Sequence, residues 1–157
     1  MRIGIGYDIH PLEAGRPLVL GGVRISYEAG LGGHSDADVL THAIIDALLG
    51  AASLGDIGQQ FPLDDPLYRD VKSLELLRQA VSLVAAAGYR AVNVDATVIA
   101  EAPRLAPHVT AMRASLSEAL GIEAGAVSVK ATTADRLGAI GRSEGIAALA
   151  VALLDST

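Results

Sequence analysis

Hydrophobic positions fall on every second residue at the start of the chain. Ile3, Ile5, Tyr7 and Ile9 alternate with small or polar residues, and this period of two predicts a strand over Arg2–Ile9. Leu18–Leu20 and Val23–Ile25 flank Gly21-Gly22 and read as a hairpin. Ala29–Gly33, with three glycines in five positions, is expected to be a loop able to approach a ligand closely. The period then lengthens: Val39, Leu40, Ala43, Ile44, Ala47 and Leu48 trace one face of a helix that runs to about Ala52, with Ser35 or Asp36 as its cap.

Clusters of Gly, Asp and Pro make Ser53–Asp70 a long irregular loop, a length that usually serves function in a compact domain. A second helix opens at Ser73 and ends before Gly88; Tyr89–Ala100 follows as a strand with Val92, Val94, Ala96 and Val98 on one face. Pro103 and Pro107 bracket a turn, and a third helix spans about Pro107 to Leu120 with Gly121 closing it. Val127–Ala131 and Ile146–Leu154 complete the strands, with a glycine-containing loop over Thr132–Arg142 between them. The order β-β-α-α-β-α-β-β, without repeats or linkers, predicts an α+β fold: a mixed β-sheet packed against helices on one side, in one domain over 1–157.

Composition narrows the function. Of 157 residues 51% are hydrophobic and 19% charged, enough apolar surface for a core. Aromatics are 3% and the net charge is −6, which argues against base stacking and against broad binding of a nucleic-acid backbone. With no cysteine, disulfides, thiolate metal sites and thiol catalysis are excluded. The N-terminal MRIGIGYDIHP lacks a long apolar run, and no stretch reaches the length of a membrane span. A soluble cytoplasmic protein is expected.

Gly4-x-Gly6 lacks the third glycine of a dinucleotide fingerprint, and Gly33-His34-Ser35-Asp36-Ala37 lacks the strand that a nucleophile elbow needs. The histidines carry more. Asp8 and His10 are two apart on a strand and share a face, while His42 lies on the next helix with Asp38 and Asp46 one turn to either side. One Asp and two His suit Zn²⁺ with an open fourth position, the arrangement of a catalytic ion. A surface Asp-x-His beside an unrelated helical histidine is the competing reading, and spacing alone leaves both open. Asp56 and Asp64-Asp65 on one loop, and Thr132-Thr133 with Asp135 on another, could meet sugar hydroxyls or a metal–phosphate, or simply be solvated.

Taken together these blocks resemble the 2-C-methyl-D-erythritol 2,4-cyclodiphosphate synthase family. The resemblance spans the chain through Gly4-x-Gly6-Tyr7-Asp8-x-His10, His34-Ser35-Asp36-x-Asp38, His42, Asp46–Ala51, Gly55–Gly58, Phe61-Pro62, Ala102-Pro103, Lys130–Thr133, Leu137-Gly138 and Gly141-Arg142-x-Glu144-Gly145. It implies that the 2-phosphate of a cytidine diphosphate substrate attacks the β-phosphorus, closing a cyclic diphosphate and releasing CMP. Asp8, His10 and His42 would hold Zn²⁺, and Asp135 a second ion, Mg²⁺ or Mn²⁺. His34 and Thr133 would stabilise the transition state. Ser35, Asp56, Ile57, Gly58, Phe61 and Asp65 would face the erythritol; Ala100, Pro103, Arg104, Leu105, Ala106, Ala131, Thr132 and Thr133 the cytidine diphosphate; Ala139 and Arg142 the phosphate or polyol.

The resemblance further implies a homotrimer with each active site between two subunits, and no nucleic-acid or membrane partner. Four positions depart from its pattern: Asp135 stands where Glu is usual, Ala134 for Thr or Ser, Ala139 for a frequent Phe, and Leu63 for Asp. These bear on the second metal and the loop walls, not on the zinc set. A zinc-dependent phosphohydrolase and a non-catalytic trimeric protein binding nucleotides or isoprenoids are the alternatives.

Overall fold

The computed structural model describes residues 1–62 and 64–157, so the departure at Leu63 lies outside the described residues. Strands β1 (Arg2–Ala14), β2 (Leu18–Leu20), β3 (Val23–Ile25) and β4 (Ala29–Leu31) lead into helix α1 (Val39–Ala52). The short α2 (Ile57–Gln60) precedes α3 (Ser73–Ala86), β5 (Tyr89–Ile99), α4 (Val109–Leu120), β6 (Val127–Thr132), the short α5 (Gly138–Gly141) and β7 (Gly145–Ser156). Single 3₁₀ turns sit at Pro66–Tyr68, Ala106–His108 and Ala124–Ala126.

Five strands form one mixed sheet in the order β4-β1-β7-β5-β6; β2 and β3 make a separate hairpin. The β5–β6 pair is parallel and the others antiparallel. One sheet face meets the helices. Ile146, Ala148, Ala150, Ala152 and Leu154 of β7 and Val94, Ala96 and Val98 of β5 point into a core shared with Leu40, Ile44, Leu48, Leu77 and Met112. Among the described residues no helix is long and apolar enough to cross a membrane.

The alternation in β1 marks a strand, but its isoleucines do not enter the core. Ile3, Ile5, Tyr7 and Ile9 are 72%, 68%, 56% and 47% exposed, on the sheet face away from the helices. The inward side is the glycine side. A Cβ on Gly4 would sit 2.0 Å from the Ala47 carbonyl oxygen, and one on Gly6 would sit 1.9 Å from that of Ala43. Gly4-x-Gly6 therefore lets a helix lie against a strand, and α1 comes close enough for its side chains to meet those at the end of β1.

Four local expectations are corrected. Ala29–Leu31 is a strand, paired with Leu12–Ala14, and Gly30 allows it to pass against Pro17 rather than a ligand. The cap of α1 is Asp38, not Ser35 or Asp36. Val92 leaves the face of Val94, Ala96 and Val98 because the β5–β7 register shifts between Ala91 and Asn93, where the strand bulges. The Ser53–Asp70 and Thr132–Arg142 loops contain the short helices α2 and α5.

Candidate metal centre and ligand cavities

Asp8 and His10 point from β1 toward the helices, and His42 from the first turns of α1 points back. Asp8 Oδ2 lies 2.9 Å from His10 Nε2 and 3.0 Å from His42 Nδ1, and the two ring nitrogens are 3.2 Å apart. Hydrogen-bond bookkeeping decides what this triangle is. The Gly32 carbonyl can only accept, so His10 Nδ1, 2.8 Å away, carries that ring's hydrogen. His42 Nε2 faces the Ser73 hydroxyl at 2.8 Å. With the His10 ring neutral, its Nε2 lone pair and the Asp8 oxygen meet His42 Nδ1 at one point, an arrangement suited to a cation.

A tetrahedral zinc ion holds its ligand atoms about 3.3 Å apart, so the set needs only a slight opening to accept one. Asp8, His10 and His42 could hold a metal, and among the described residues they are the group placed to do so; Asp135 does not join them. Charge follows the same logic. Burial pushes the Asp8 carboxyl up, but hydrogen bonds and charge from His10 and His42 outweigh it and hold it well below the ordinary carboxylate range. Burial pulls His10 down, yet Asp8 and the Gly32 carbonyl raise it overall.

Asp38 and Asp46, one turn from His42 on either side, do other work. Asp38 is fully buried and accepts from the backbone N–H groups of Gly21 (2.9 Å), Gly22 (2.7 Å) and Thr41 (3.0 Å) and from the Thr41 hydroxyl. It pins the β2–β3 turn to the helix start. Asp46 accepts from Ile57 N–H at 2.8 Å and so anchors α2 beside the triad. Burial, and then the nearby Asp56 and Asp8 charges, raise its carboxyl above the ordinary value against that hydrogen bond.

A cavity of about 280 Å³ opens onto the triad, walled by His34, Ser35, Ile57, Gly58, Phe61, Tyr68 and Leu76. His34 lines this cavity, and its Nε2 is buried without a hydrogen-bond partner among the described residues. Asp56 caps α2 through Gln59 N–H and Asp65 caps the following 3₁₀ turn through Leu67 N–H. A second cavity, of about 290 Å³, gathers Ala100, Pro103, Arg104, Leu105, Ala106, Ala131, Thr132 and Thr133. The two cavities share no residue.

Asp135, at φ 51°, sits on the rim loop beside Thr133; Ala139 is exposed on α5, and Arg142 is paired with Glu144 at 2.6 Å. Sequence reasoning missed Ser73, Asp36 as a partner of Ser73, and Glu101, whose carboxylate accepts from the N–H groups of Ala134 and Arg136. It also missed Tyr68 and Leu76 as cavity walls. No local pattern flagged them, since each acts across a tertiary contact.

The YgbB family matches residues 1–155. The chain belongs to the YgbB family. A relative from Syntrophomonas wolfei, named 2-C-methyl-D-erythritol 2,4-cyclodiphosphate synthase, is 57% identical over 99% of this chain and 99% of its own. The bifunctional IspDF of Campylobacter jejuni matches with a TM-score of 0.96 and 42% identity, covering 99% of this chain and 42% of that one. A 2C-methyl-D-erythritol-2,4-cyclodiphosphate synthase solved in a CDP-bound form has a TM-score of 0.91 and 40% identity, covering 98% of this chain and 100% of its own.

Proposed function

We propose that the protein cyclises a 2-C-methyl-D-erythritol cytidine diphosphate that carries a 2-phosphate. An oxygen of the 2-phosphate bonds to the β-phosphorus, the bond from that phosphorus to the oxygen bridging to the α-phosphate breaks, and CMP leaves with it. The observation that carries this reading is the Asp8–His10–His42 triad facing a cavity with the unpartnered His34 nitrogen, in a YgbB-family chain. Both reacting groups are anionic, so the protein's task is in-line positioning and charge neutralisation.

Two imidazoles and a carboxylate suit zinc, with an open position for a phosphate oxygen. When bound, that ion supplies a Lewis acid that draws charge from phosphate oxygens. His34 donates from Nε2 to a phosphate oxygen as charge builds. Asp56 and the backbone of Ile57 and Gly58 meet the erythritol hydroxyls beside Ser35 and Asp65, while buried Phe61 and Leu76 keep out the water that would give a linear product. Cytidine and its diphosphate occupy the second cavity, with Arg104 supplying charge and Thr132 and Thr133 hydroxyls; the CDP-bound relative supports this. Asp135 bears on a Mg²⁺ or Mn²⁺ ion carried with the diphosphate, and Ala139 and Arg142 contribute to phosphate or polyol binding.

The working unit is a homotrimer. Two observations support it: the outward apolar face of β1 and β7, and the separation of the two cavities within one chain. Packing three copies through that face covers the apolar stripe and brings one chain's second cavity to its neighbour's metal centre.

The test is phosphorus NMR of the product with metal analysis of the purified protein. Cyclic diphosphate with CMP, and about one zinc per chain, is expected; a linear phosphate product or absence of metal overturns the reading. Mixed trimers of His42→Ala and Thr133→Ala chains, each inactive alone, should recover activity if sites are shared.

A further inference from the structure

The hydroxyl of Ser73, the first residue of α3 and fully buried, lies 2.8 Å from His42 Nε2. Its single hydrogen is committed elsewhere, because Ser73 Oγ donates to the Asp36 carboxylate. That carboxylate also accepts from Ser73 N–H at 3.0 Å and Asp38 N–H at 3.2 Å, so it is an acceptor on every side. With its hydrogen given away, Ser73 Oγ offers His42 only lone pairs. His42 must answer with a hydrogen on Nε2, which leaves the Nδ1 lone pair aimed at Asp8 and His10. Ser35 Oγ, at 3.2 Å from the same nitrogen, accepts from Ala37 N–H and keeps its own hydrogen free, so the closer Ser73 hydroxyl sets the direction.

We infer that Asp36 and Ser73 are positioning residues: a carboxylate–hydroxyl relay that locks His42 as its Nε2–H tautomer and points Nδ1 at the metal. The relay ties three elements together, since Asp36 lies on the loop before α1, His42 on α1 and Ser73 on α3. Helix α3 thereby reports its packing to the metal centre through one hydrogen bond. Partners of this kind orient ligating histidines and raise their basicity, and their loss typically weakens metal binding about 10- to 100-fold.

The inference rests on the metal reading above, and its test separates the two. Full-length protein with ¹⁵N-labelled histidine is read with zinc bound and after chelator stripping, at a pH that leaves the rings neutral. In stripped wild-type protein His42 should carry its hydrogen on Nε2. In Ser73→Ala the ring should become a mixture of tautomers, and chelator competition should show zinc bound about 10- to 100-fold more weakly.

Asp36→Asn should move both readouts in the same direction and serves if Ser73→Ala does not fold. Ser73→Thr, which keeps the hydroxyl, should restore the single tautomer. His42 protonated on Nδ1 in the stripped wild type, or variants with unchanged tautomer and zinc affinity, would overturn the relay. Failure of the chain to take up zinc would sink the metal reading, while the tautomer in the metal-free chain would still decide the relay.

Discussion

The Gly6→Ala substitution separates the role of the β1 glycines from that of the ligands themselves. Gly6 lies two residues before Asp8 on the same face of β1, against Ala43, the neighbour of His42. An added Cβ would sit 1.9 Å from the Ala43 carbonyl oxygen and 2.7 Å from Ala47 N, where real Cβ atoms essentially never come under 3.0 Å. Both obstacles are backbone, so no side-chain rotation relieves them. Strand and helix must part by about 1.1 Å beside the triad. Metal–ligand distances hold to about 0.2 Å, so such a shift removes His42 from a shared coordination sphere with Asp8 and His10.

The stability cost should lie near the upper end for overpacking, about 3 kcal/mol. A misplacement of about 1 Å can cost about 100-fold in turnover. Gly50→Ala is the control. It lies on the same helix, yet its Cβ would have only the Ile5 carbonyl oxygen nearby, at 4.0 Å. It should gain about 0.5–1 kcal/mol from helix propensity and keep metal and activity. The measurements are urea denaturation and zinc titration by calorimetry. Wild-type stability with stoichiometric zinc in Gly6→Ala would refute the argument that close packing of β1 on α1 builds the site.

Asp38→Ala strips the partner from four donors, two in the β2–β3 turn and two on Thr41 at the start of α1, and should cost roughly 2–4 kcal/mol in urea denaturation. The raised Asp46 carboxyl makes the folded state hold more proton than the unfolded one between the ordinary carboxylate value and its raised value, so stability falls as pH rises through that window. Asp46→Asn keeps an oxygen for Ile57 N–H and should flatten that slope in denaturation curves taken across it. Ile5→Asp, on the outward face, should leave helix content by circular dichroism intact while sedimentation shows a smaller species than wild type. Asp135→Asn should raise the Mg²⁺ concentration needed for cyclisation; identical Mg²⁺ curves would remove Asp135 from the second metal site.

Local patterning carried much of the architecture because period and punctuation are properties of neighbouring residues. The strand at Arg2–Ile9, the helix ending at Ala52, the helix between Ser73 and Gly88 and the stop at Gly121 are each written within a dozen residues. So was the candidate triad, because Asp-x-His on a strand puts both side chains on one face whatever lies around it. Which face would be buried was not legible. The apolar face of β1 lies outward and the helix packs on the glycines, because only they let two backbones approach so closely.

The cap of α1 was misplaced for a similar reason. Asp36 and Asp38 are equivalent in a local reading, and the hairpin N–H groups of Gly21 and Gly22, distant in sequence, select Asp38. His42 became a candidate ligand, rather than a stray helical histidine, through contacts with β1 on one side and α3 on the other. Ser73, which holds its far nitrogen, carries no mark in the sequence. Hydrogen-bond direction depends on which donors and acceptors meet, and only the packing of α3 against α1 brings these together.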